Sequence, residues 1–217
     1  MSPEIAPLAL HEQFANPEQQ RETASLGMWI FIVSEMMLFG GLFVAYTVYR
    51  MYYPQAFTEG SADMDIVLGS VNTAVLICSS FTMALAVHSA QMGSRKLVNI
   101  FLLATMAIGC VFLVIKFTEY YKHYLDHKAP GVWFDSAAAN PGKVELFFVF
   151  YFIMTMLHAL HMFVGLGLLT FTLLRNLAGK ITAEYYNTIE VTGLYWHFID
   201  IIWVFLYAIF YIPGLHP

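Results

Sequence analysis

The sequence predicts an all-α membrane protein whose core is a bundle of five transmembrane helices. Its 217 residues are 59% hydrophobic and only 12% charged, whereas about 25% of the residues in a soluble domain are charged. A single soluble core cannot bury so much apolar surface, so part of that surface must face lipid. In addition, five separate apolar runs each reach the roughly 20 residues that a helix needs to cross a bilayer core of about 30 Å.

The five predicted spans differ in the ionisable side chains that they contain. The first contains Glu35, and the second and third contain none. The fourth contains His158 and His161. The fifth contains His197 and Asp200. The spans are residues 26–49, 66–87, 97–115, 146–174 and 191–212.

The remaining segments have the composition of polar connections. Residues 1–25 contain five charged side chains and lack the pattern of a cleaved signal, which predicts a flexible amino-terminal tail before a single membrane domain at residues 26–217. The loop around Gly93 is so short that the second and third spans must form an antiparallel hairpin. Residues 121–143 are rich in Pro, Gly, Asp and Asn, so they are predicted to form an extramembrane loop instead of a sixth span.

Basic residues indicate the orientation of the chain, because they are enriched in short cytoplasmic loops. Their number is equal on the two predicted sides, but the side of the amino terminus carries them in the short loops. We therefore expect the amino terminus in the cytoplasm and the carboxyl terminus outside. The basic residues of the first side are Arg21, Arg95, Lys96, Arg175 and Lys180, and those of the second are Arg50, Lys116, Lys122, Lys128 and Lys143.

Six ionisable side chains in or beside the spans are candidates for a functional site. An ionisable group inside a bilayer costs several kcal/mol unless it is paired or hydrated, so each of them needs a partner. Two pairs are spaced three residues apart on one helix and therefore share a helix face. The six residues are Glu35, His158, His161, Glu190, His197 and Asp200.

Two interpretations of these residues remain open. They form either a hydrogen-bonded polar cluster that fixes the helix register, which the pattern favours, or a proton relay. A metal site is not predicted, because a His-x-x-His pair supplies only two ligands and no second histidine box is present. No phosphate-binding loop, dinucleotide fingerprint or nucleophile elbow occurs, so no catalytic residue is predicted in this chain.

Small residues predict where helices approach one another closely. They recur on one face of the first span and on one face of the second, as at the contact surfaces of membrane helices. These residues are Gly27, Ser34 and Gly41 on the first span, and Gly69, Thr73, Ser80 and Ala84 on the second. The net charge of −5 without a basic patch excludes a nucleic-acid partner.

Two long segments carry a resemblance to a known family. LGMWIFIVSEMMLFGGLFVAY, with its central Ser-Glu, and YWHFIDIIWVFLYAIFYI, at the end of the chain, resemble subunit III of the haem-copper cytochrome oxidases. The chain is most similar to the five-helix bacterial form, which lacks two leading helices. Shorter matches in the same order are Asn72 and Thr73 in SVNTAVL, Glu119 and Tyr120 in KFTEYY, His158 and His161 in MLHALHMFVG, and Glu190.

The resemblance implies a cofactor-free accessory subunit of an oxygen-reducing, proton-pumping complex in the bacterial inner membrane. Its partners would be subunit I, which holds the haems and copper, and subunit II. Its implied roles are stability, phospholipid binding in a cleft between helices, and support of proton uptake. One departure is Val67, which stands where many seven-helix members carry a membrane carboxylate, so the role of that carboxylate is not expected here.

Three alternatives remain beside this interpretation. The accessory protein associated with nitric oxide reductases belongs to the same superfamily and shares the first-helix pattern. A membrane di-iron enzyme would need further histidine boxes, and a small transporter would need interrupted spans. Copurification with a haem-containing partner would distinguish the accessory subunits from the last two.

Overall fold

The computed structural model describes residues 17–131, 134–135, 141–182 and 185–215. Its regular elements within these ranges are all helical, and five helices are long and apolar enough to cross a membrane. This confirms the predicted class and the predicted number of spans. The elements are α1 (Pro17–Tyr52), α2 (Pro54–Ala62), α3 (Ile66–Gln91), α4 (Arg95–Leu125), α5 (Pro141–Leu177), α6 (Asn187–Phe210) and a 3-10 turn (Pro213–Leu215).

Several helices extend beyond the predicted spans. Residues 17–25, which were expected in a flexible tail, form the first turns of α1, while residues 1–16 of that tail lie outside the described ranges. Helix α4 continues past residue 115 to Leu125, into the segment predicted as a loop. Apolar runs end at the first charged residue, whereas a helix continues as long as its polar side chains find partners or water.

Helix α2 is an element that the sequence did not predict. It begins with Pro54 in its first turn, where the missing N–H of proline costs no hydrogen bond. The Ser61 hydroxyl at its other end donates to the carbonyl oxygen of Phe210 at 2.7 Å and accepts from the N–H of Gly214 at 2.8 Å. Ser61 therefore fastens α2 to the carboxyl end of α6.

Helices α3 and α4 form the expected antiparallel hairpin. Gly93 closes the connection with a φ of 71°, a left-handed conformation that glycine adopts without strain. The N–H of Ser94 then donates to the carbonyl oxygen of Ser89 at 3.0 Å, which satisfies the end of α3.

Helix α6 lies at the centre of the bundle, where its Trp196 side chain packs against three neighbouring helices. The indole is fully buried, and its Nε1 donates to the Ser79 hydroxyl of α3 at 3.0 Å. A side-chain carbon added at Gly109 of α4 would lie 2.9 Å from this ring, and one added at Gly165 of α5 would lie 3.0 Å from it. Trp196 therefore sets the spacing of three surrounding helices.

Helix α1 packs on the outside of the bundle. In its most apolar stretch only 11% of the residues are buried, against 56% in α6. It contacts α6 and α5 but has no substantial contact with α3. Tyr46 anchors it, because the Tyr46 hydroxyl donates to the carbonyl oxygen of Ile209 at 2.8 Å and the ring packs edge-on against Phe57 and Phe210. The other faces of α1 stay available for lipid or for a partner.

Replacing Gly165 with Val should lower the free energy of unfolding in detergent by about 1–3 kcal/mol, because the new methyl groups overpack the Trp196 ring. Gly167→Val is the matched control, since Gly167 lies on the same helix with nothing within 4 Å of an added side-chain carbon. Denaturant titration followed by circular dichroism measures both. Equal losses in the two variants would contradict the packing role of Trp196.

Candidate functional site: buried ion pairs and a polar cavity

The six candidate residues lie in three separate places. Glu35 and His161 meet between α1 and α5. His158 lies elsewhere in the bundle among aromatic rings. The remaining three lie on α6, where Glu190 and His197 line a cavity and Asp200 follows in the middle of the helix.

Glu35 and His161 form a partly buried pair that shares one proton. Oε2 of Glu35 lies 3.1 Å from Nε2 of His161. The other ring nitrogen, Nδ1, lies 2.8 Å from the carbonyl oxygen of Leu157, and only a protonated nitrogen can bond to that acceptor. A single proton therefore lies between Nε2 and the carboxylate, on one atom or the other. The partner that Glu35 requires inside the bilayer is His161.

His158 has a different environment from His161. Its ring is 1% exposed and lies between Phe112 and Trp203, with centroid distances of 5.6 and 5.2 Å. Neither ring nitrogen has a hydrogen-bond partner among the described residues. The two histidines share a helix but do not form one cluster.

A cavity of about 520 Å³ opens at the amino-terminal end of α6, between α1 and α3. Arg21 and Glu190, both on its lining, form an ion pair at 3.4 Å. The Arg21 guanidinium also lies over the ring of Tyr186, 5.3 Å from its centroid. His88 of α3 and His197 of α6 complete the ionisable lining. The cavity is therefore a polar recess at the end of an otherwise apolar bundle.

His197 connects this cavity to the interior of the bundle. Its Nδ1 lies 2.6 Å from the hydroxyl oxygen of Ser80 on α3. Asp200 follows one turn further along α6 and is only 6% exposed. Ser80 is a neighbour of the Asp200 carboxylate, and neither carboxylate oxygen has a hydrogen bond to a described residue.

The most completely bonded polar group of the interior is one that the sequence analysis missed. Lys116, counted there as a residue of a membrane surface, is 1% exposed. Its Nζ donates to Oε2 of Glu119 at 3.0 Å and to the hydroxyls of Tyr151 and Tyr211 at 2.8 Å each. Both hydroxyls then donate to Oε1 of Glu119. All three ammonium protons thus have acceptors, and the network is closed.

Aromatic rings complete the environment of Lys116. Its Nζ lies 4.5 Å from the ring centroid of Tyr151 and 5.0 Å from that of Trp203, distances at which a cation is attracted to a ring face. The network joins α4, α5 and the end of α6. The signal that could have revealed it is the spacing of three residues between Lys116 and Glu119, which places both on one helix face.

The two small-residue stripes have different environments. An added side-chain carbon at Gly27 or Gly41 of α1 would meet nothing within 4 Å, and Ser34 is exposed. Ala84 of α3 is also exposed and lines the cavity. The rest of the second stripe faces α6, where Gly69 lies against Tyr211. The first stripe therefore makes no close helix contact within the described chain.

Side-chain hydrogen bonds join α3 and α6 in antiparallel order. Besides the bonds of Ser80 and Ser79, Nε1 of Trp203 donates to the Thr73 hydroxyl at 3.1 Å, and the Ser70 and Tyr207 hydroxyls lie 2.7 Å apart. Small hydroxyls of α3 thus meet the large polar side chains of α6 in turn. Among the described residues, no group of three or more His, Cys, Asp or Glu could hold a metal ion.

Replacing Lys116 with Met should lower the free energy of unfolding by about 3–5 kcal/mol, because it leaves the Glu119 carboxylate buried without its cation. The double variant Lys116→Met, Glu119→Gln should recover part of that loss, since no unpaired charge remains. Lys122→Met, at an exposed position of the same helix, is the control. Denaturation in detergent of the natural chain, the single variants Lys116→Met and Glu119→Gln, the double variant and the control gives the coupling, and strictly additive losses would refute the closed network.

Glu35→Gln should keep nearly the stability of the natural chain, because an amide N–H can donate to Nε2 of a neutral His161. Glu35→Leu should cost about 1–3 kcal/mol, because the buried nitrogen then loses its partner. Thermal unfolding of the two variants in the same detergent provides the comparison. Identical melting temperatures would show that this pair contributes nothing to helix packing.

Comparison with known proteins places this architecture in a family. The family model of cytochrome c oxidase subunit III matches residues 13–215. The chain is 31% identical to cytochrome c oxidase subunit 3 of Synechocystis, over 86% of this chain and 74% of that protein. It is 30% identical to quinol oxidase subunit 3 of Bacillus subtilis, over 91% of this chain and 92% of that protein.

A third relative is the probable cytochrome c oxidase subunit 3 of Nocardia farcinica, 31% identical over 86% of each chain. The matched region contains all five membrane helices, the Lys116–Glu119 network and the cavity of α6. The alternatives of a membrane di-iron enzyme and of a small transporter find no support in these matches. The chain therefore belongs to the subunit III family of cytochrome c and quinol oxidases, in its five-helix form.

Proposed function

We propose that this chain is the non-catalytic subunit III of a haem-copper terminal oxidase in a bacterial inner membrane, and that it supports the stability, lipid environment and proton uptake of the catalytic subunit. The observation that carries the proposal is the family match across all five helices. The contacts agree with it, because two of the membrane-embedded carboxylates, Glu35 and Glu119, are bonded to side chains of this same chain. These groups hold helices together.

In this proposal the haems and copper belong to subunit I, and this chain packs beside subunits I and II. The relatives named above include cytochrome c oxidases and a quinol oxidase. The electron donor of the complex is therefore cytochrome c or a quinol. The outer faces of α1 supply a surface for lipid or for a partner. Met37, Val44 and Ile30 there are 75%, 64% and 63% exposed, although all three are apolar.

The structure also bears on the proposed orientation. Because Lys116 is buried and paired with Glu119, it no longer counts as a basic residue of a membrane surface. Without it, the side that contains the amino terminus has the excess of basic residues, so we place that side in the cytoplasm. The cavity of α6 opens at this end of the bundle, where it would meet cytoplasmic water.

Removing this chain from the purified oxidase should leave the haem absorbance spectrum unchanged, because the redox centres belong to the partner. Oxygen consumption should start near the normal rate and then decay several-fold sooner, since lipid order and proton supply are lost. The measurement compares complexes purified with and without the chain over many turnovers. Complex to which the purified chain has been added back is the control.

A loss of haem or copper signal in proportion to the loss of this chain would refute the proposal. It would mean that a histidine of this chain holds a redox centre. Unchanged spectra together with unchanged turnover would also count against it, because the chain would then support neither stability nor proton uptake.

A further inference from the structure

We infer that the cavity of α6 is the entrance of a short proton relay, in which His197 and Ser80 pass protons between cavity water and the buried carboxyl group of Asp200. The proton transfers from His197 to Ser80 and from Ser80 to Asp200 are inferred from the geometry of this chain alone. Their use by an oxidase rests on the proposed function.

The first part of the relay is a space large enough for several water molecules. The cavity of about 520 Å³ is far larger than the 10–15 Å³ or so that one water molecule requires. Its ionisable groups come from three helices: Arg21 of α1, His88 of α3, and Glu190 and His197 of α6. Because Arg21 and Glu190 neutralise each other, they provide hydrogen-bonding partners for water without a strong net charge.

The second part is the contact between His197 and Ser80. Nδ1 and the hydroxyl oxygen are 2.6 Å apart, so one of them donates to the other. When Nδ1 carries the proton, the serine oxygen accepts it and the serine hydrogen is free to point elsewhere. A neighbouring acceptor for that hydrogen is the carboxylate of Asp200, whose oxygens have no hydrogen bond to a described residue.

The third part is Asp200 itself. It is 6% exposed inside a membrane-spanning helix, and both of its oxygens lack a hydrogen bond among the described residues. Glu35 and Glu119, in comparison, each have bonded partners. A buried carboxylate without a partner is costly, and taking up a proton removes its charge. Asp200 is thus a proton acceptor whose contact runs through Ser80.

The transfer balances as the uptake of one proton by His197 followed by two concerted proton transfers. A proton from cavity water binds Nε2 of His197, the Nδ1 proton moves to the Ser80 oxygen, and the Ser80 hydrogen moves to Asp200. The imidazole ends neutral with its proton on Nε2, the serine is again a hydroxyl, and the carboxylate has become a carboxylic acid. The reverse hops return the proton to the cavity, so Asp200 exchanges protons with one side of the membrane.

Infrared spectroscopy of the purified complex tests the relay directly. The carboxylic acid C=O band of Asp200 is identified by its absence in Asp200→Asn, and its shift is followed after transfer into D2O. In Ser80→Ala the shift should be at least about tenfold slower, because a positioned acid–base group accelerates proton transfer by about 100-fold or more. Thr73→Ala is the control, since it removes a hydroxyl of α3 that is bonded to Trp203 instead.

A shift in Ser80→Ala as fast as in the Thr73→Ala control would overturn the relay. So would the absence of an Asp200 band at every pH at which the complex is folded, because Asp200 would then stay ionised. Neither measurement uses turnover, so the relay can fail while the proposed function stands. The proposed function is judged separately, by removal of the chain.

Water access gives a second and independent measurement. In a chain whose two natural cysteines are replaced by Ala, His197→Cys should react with a charged, water-soluble thiol reagent, because His197 lines the cavity and thiolates form only in contact with water. Ile201→Cys is the control, since Ile201 lies four residues away on α6, 55% exposed and outside the lining of the cavity. Equal reaction at the two positions, or reaction at neither, would overturn the relay, because the cavity would then not carry water to its first residue.

Discussion

Every ionisable side chain inside the bilayer must be neutralised, and this requirement determines the environment of the Lys116–Glu119 ion pair. Transferring an isolated ion from water into an apolar interior costs far more than the few kcal/mol that hold a fold together. The ammonium group of Lys116 is accommodated because Glu119, Tyr151 and Tyr211 accept its three protons. That arrangement exists only when α4, α5 and the end of α6 are in their correct places. The pair therefore specifies the arrangement of the helices at this end of the bundle.

The interface between α3 and α6 applies the same constraint with neutral groups. Large polar side chains of α6 bring apolar surface into the bundle, and each polar tip needs a partner there. The partners are small hydroxyls of α3, as in the pairs of Trp196 with Ser79 and of Trp203 with Thr73. A small serine or threonine of α3 thus lets the two helices approach closely and also accepts a hydrogen bond from the side chain of α6 that packs against it. This combination explains why Thr73 and Ser80 stand beside Gly69 in the small-residue stripe of α3.

The sequence predicted the membrane class, the five spans and the α3–α4 hairpin, because hydrophobic run length and loop length are local properties. It also indicated that Glu35 needs a polar partner. It could not identify His161 as that partner, since the candidates lie on several helices and only packing selects among them. Lys116 was missed for a related reason: a charged residue at the end of an apolar run is ordinarily at the membrane surface. Its partners Tyr151 and Tyr211 come from distant parts of the chain.

The register of α3 and α6 makes Asp200 an exception within this structure. The two helices are antiparallel, so residue numbers rise along α6 as those of their hydrogen-bonding partners on α3 fall. By this register the α3 residue opposite Asp200 is Leu76, whose side chain has no polar group. The adjacent hydroxyl, that of Ser80, is already bonded to His197. A purely structural carboxylate would be expected at a level where a donor faces it, as Glu119 is. A buried carboxylate without a hydrogen bond, next to a hydroxyl that is bonded to a histidine of a polar cavity, is instead placed to gain and lose a proton. The two ends of α6 therefore differ in kind: a completely bonded charge network closes the carboxyl end, whereas the amino end lines a polar cavity, and the buried acid Asp200 lies one turn beyond the last residue of that lining.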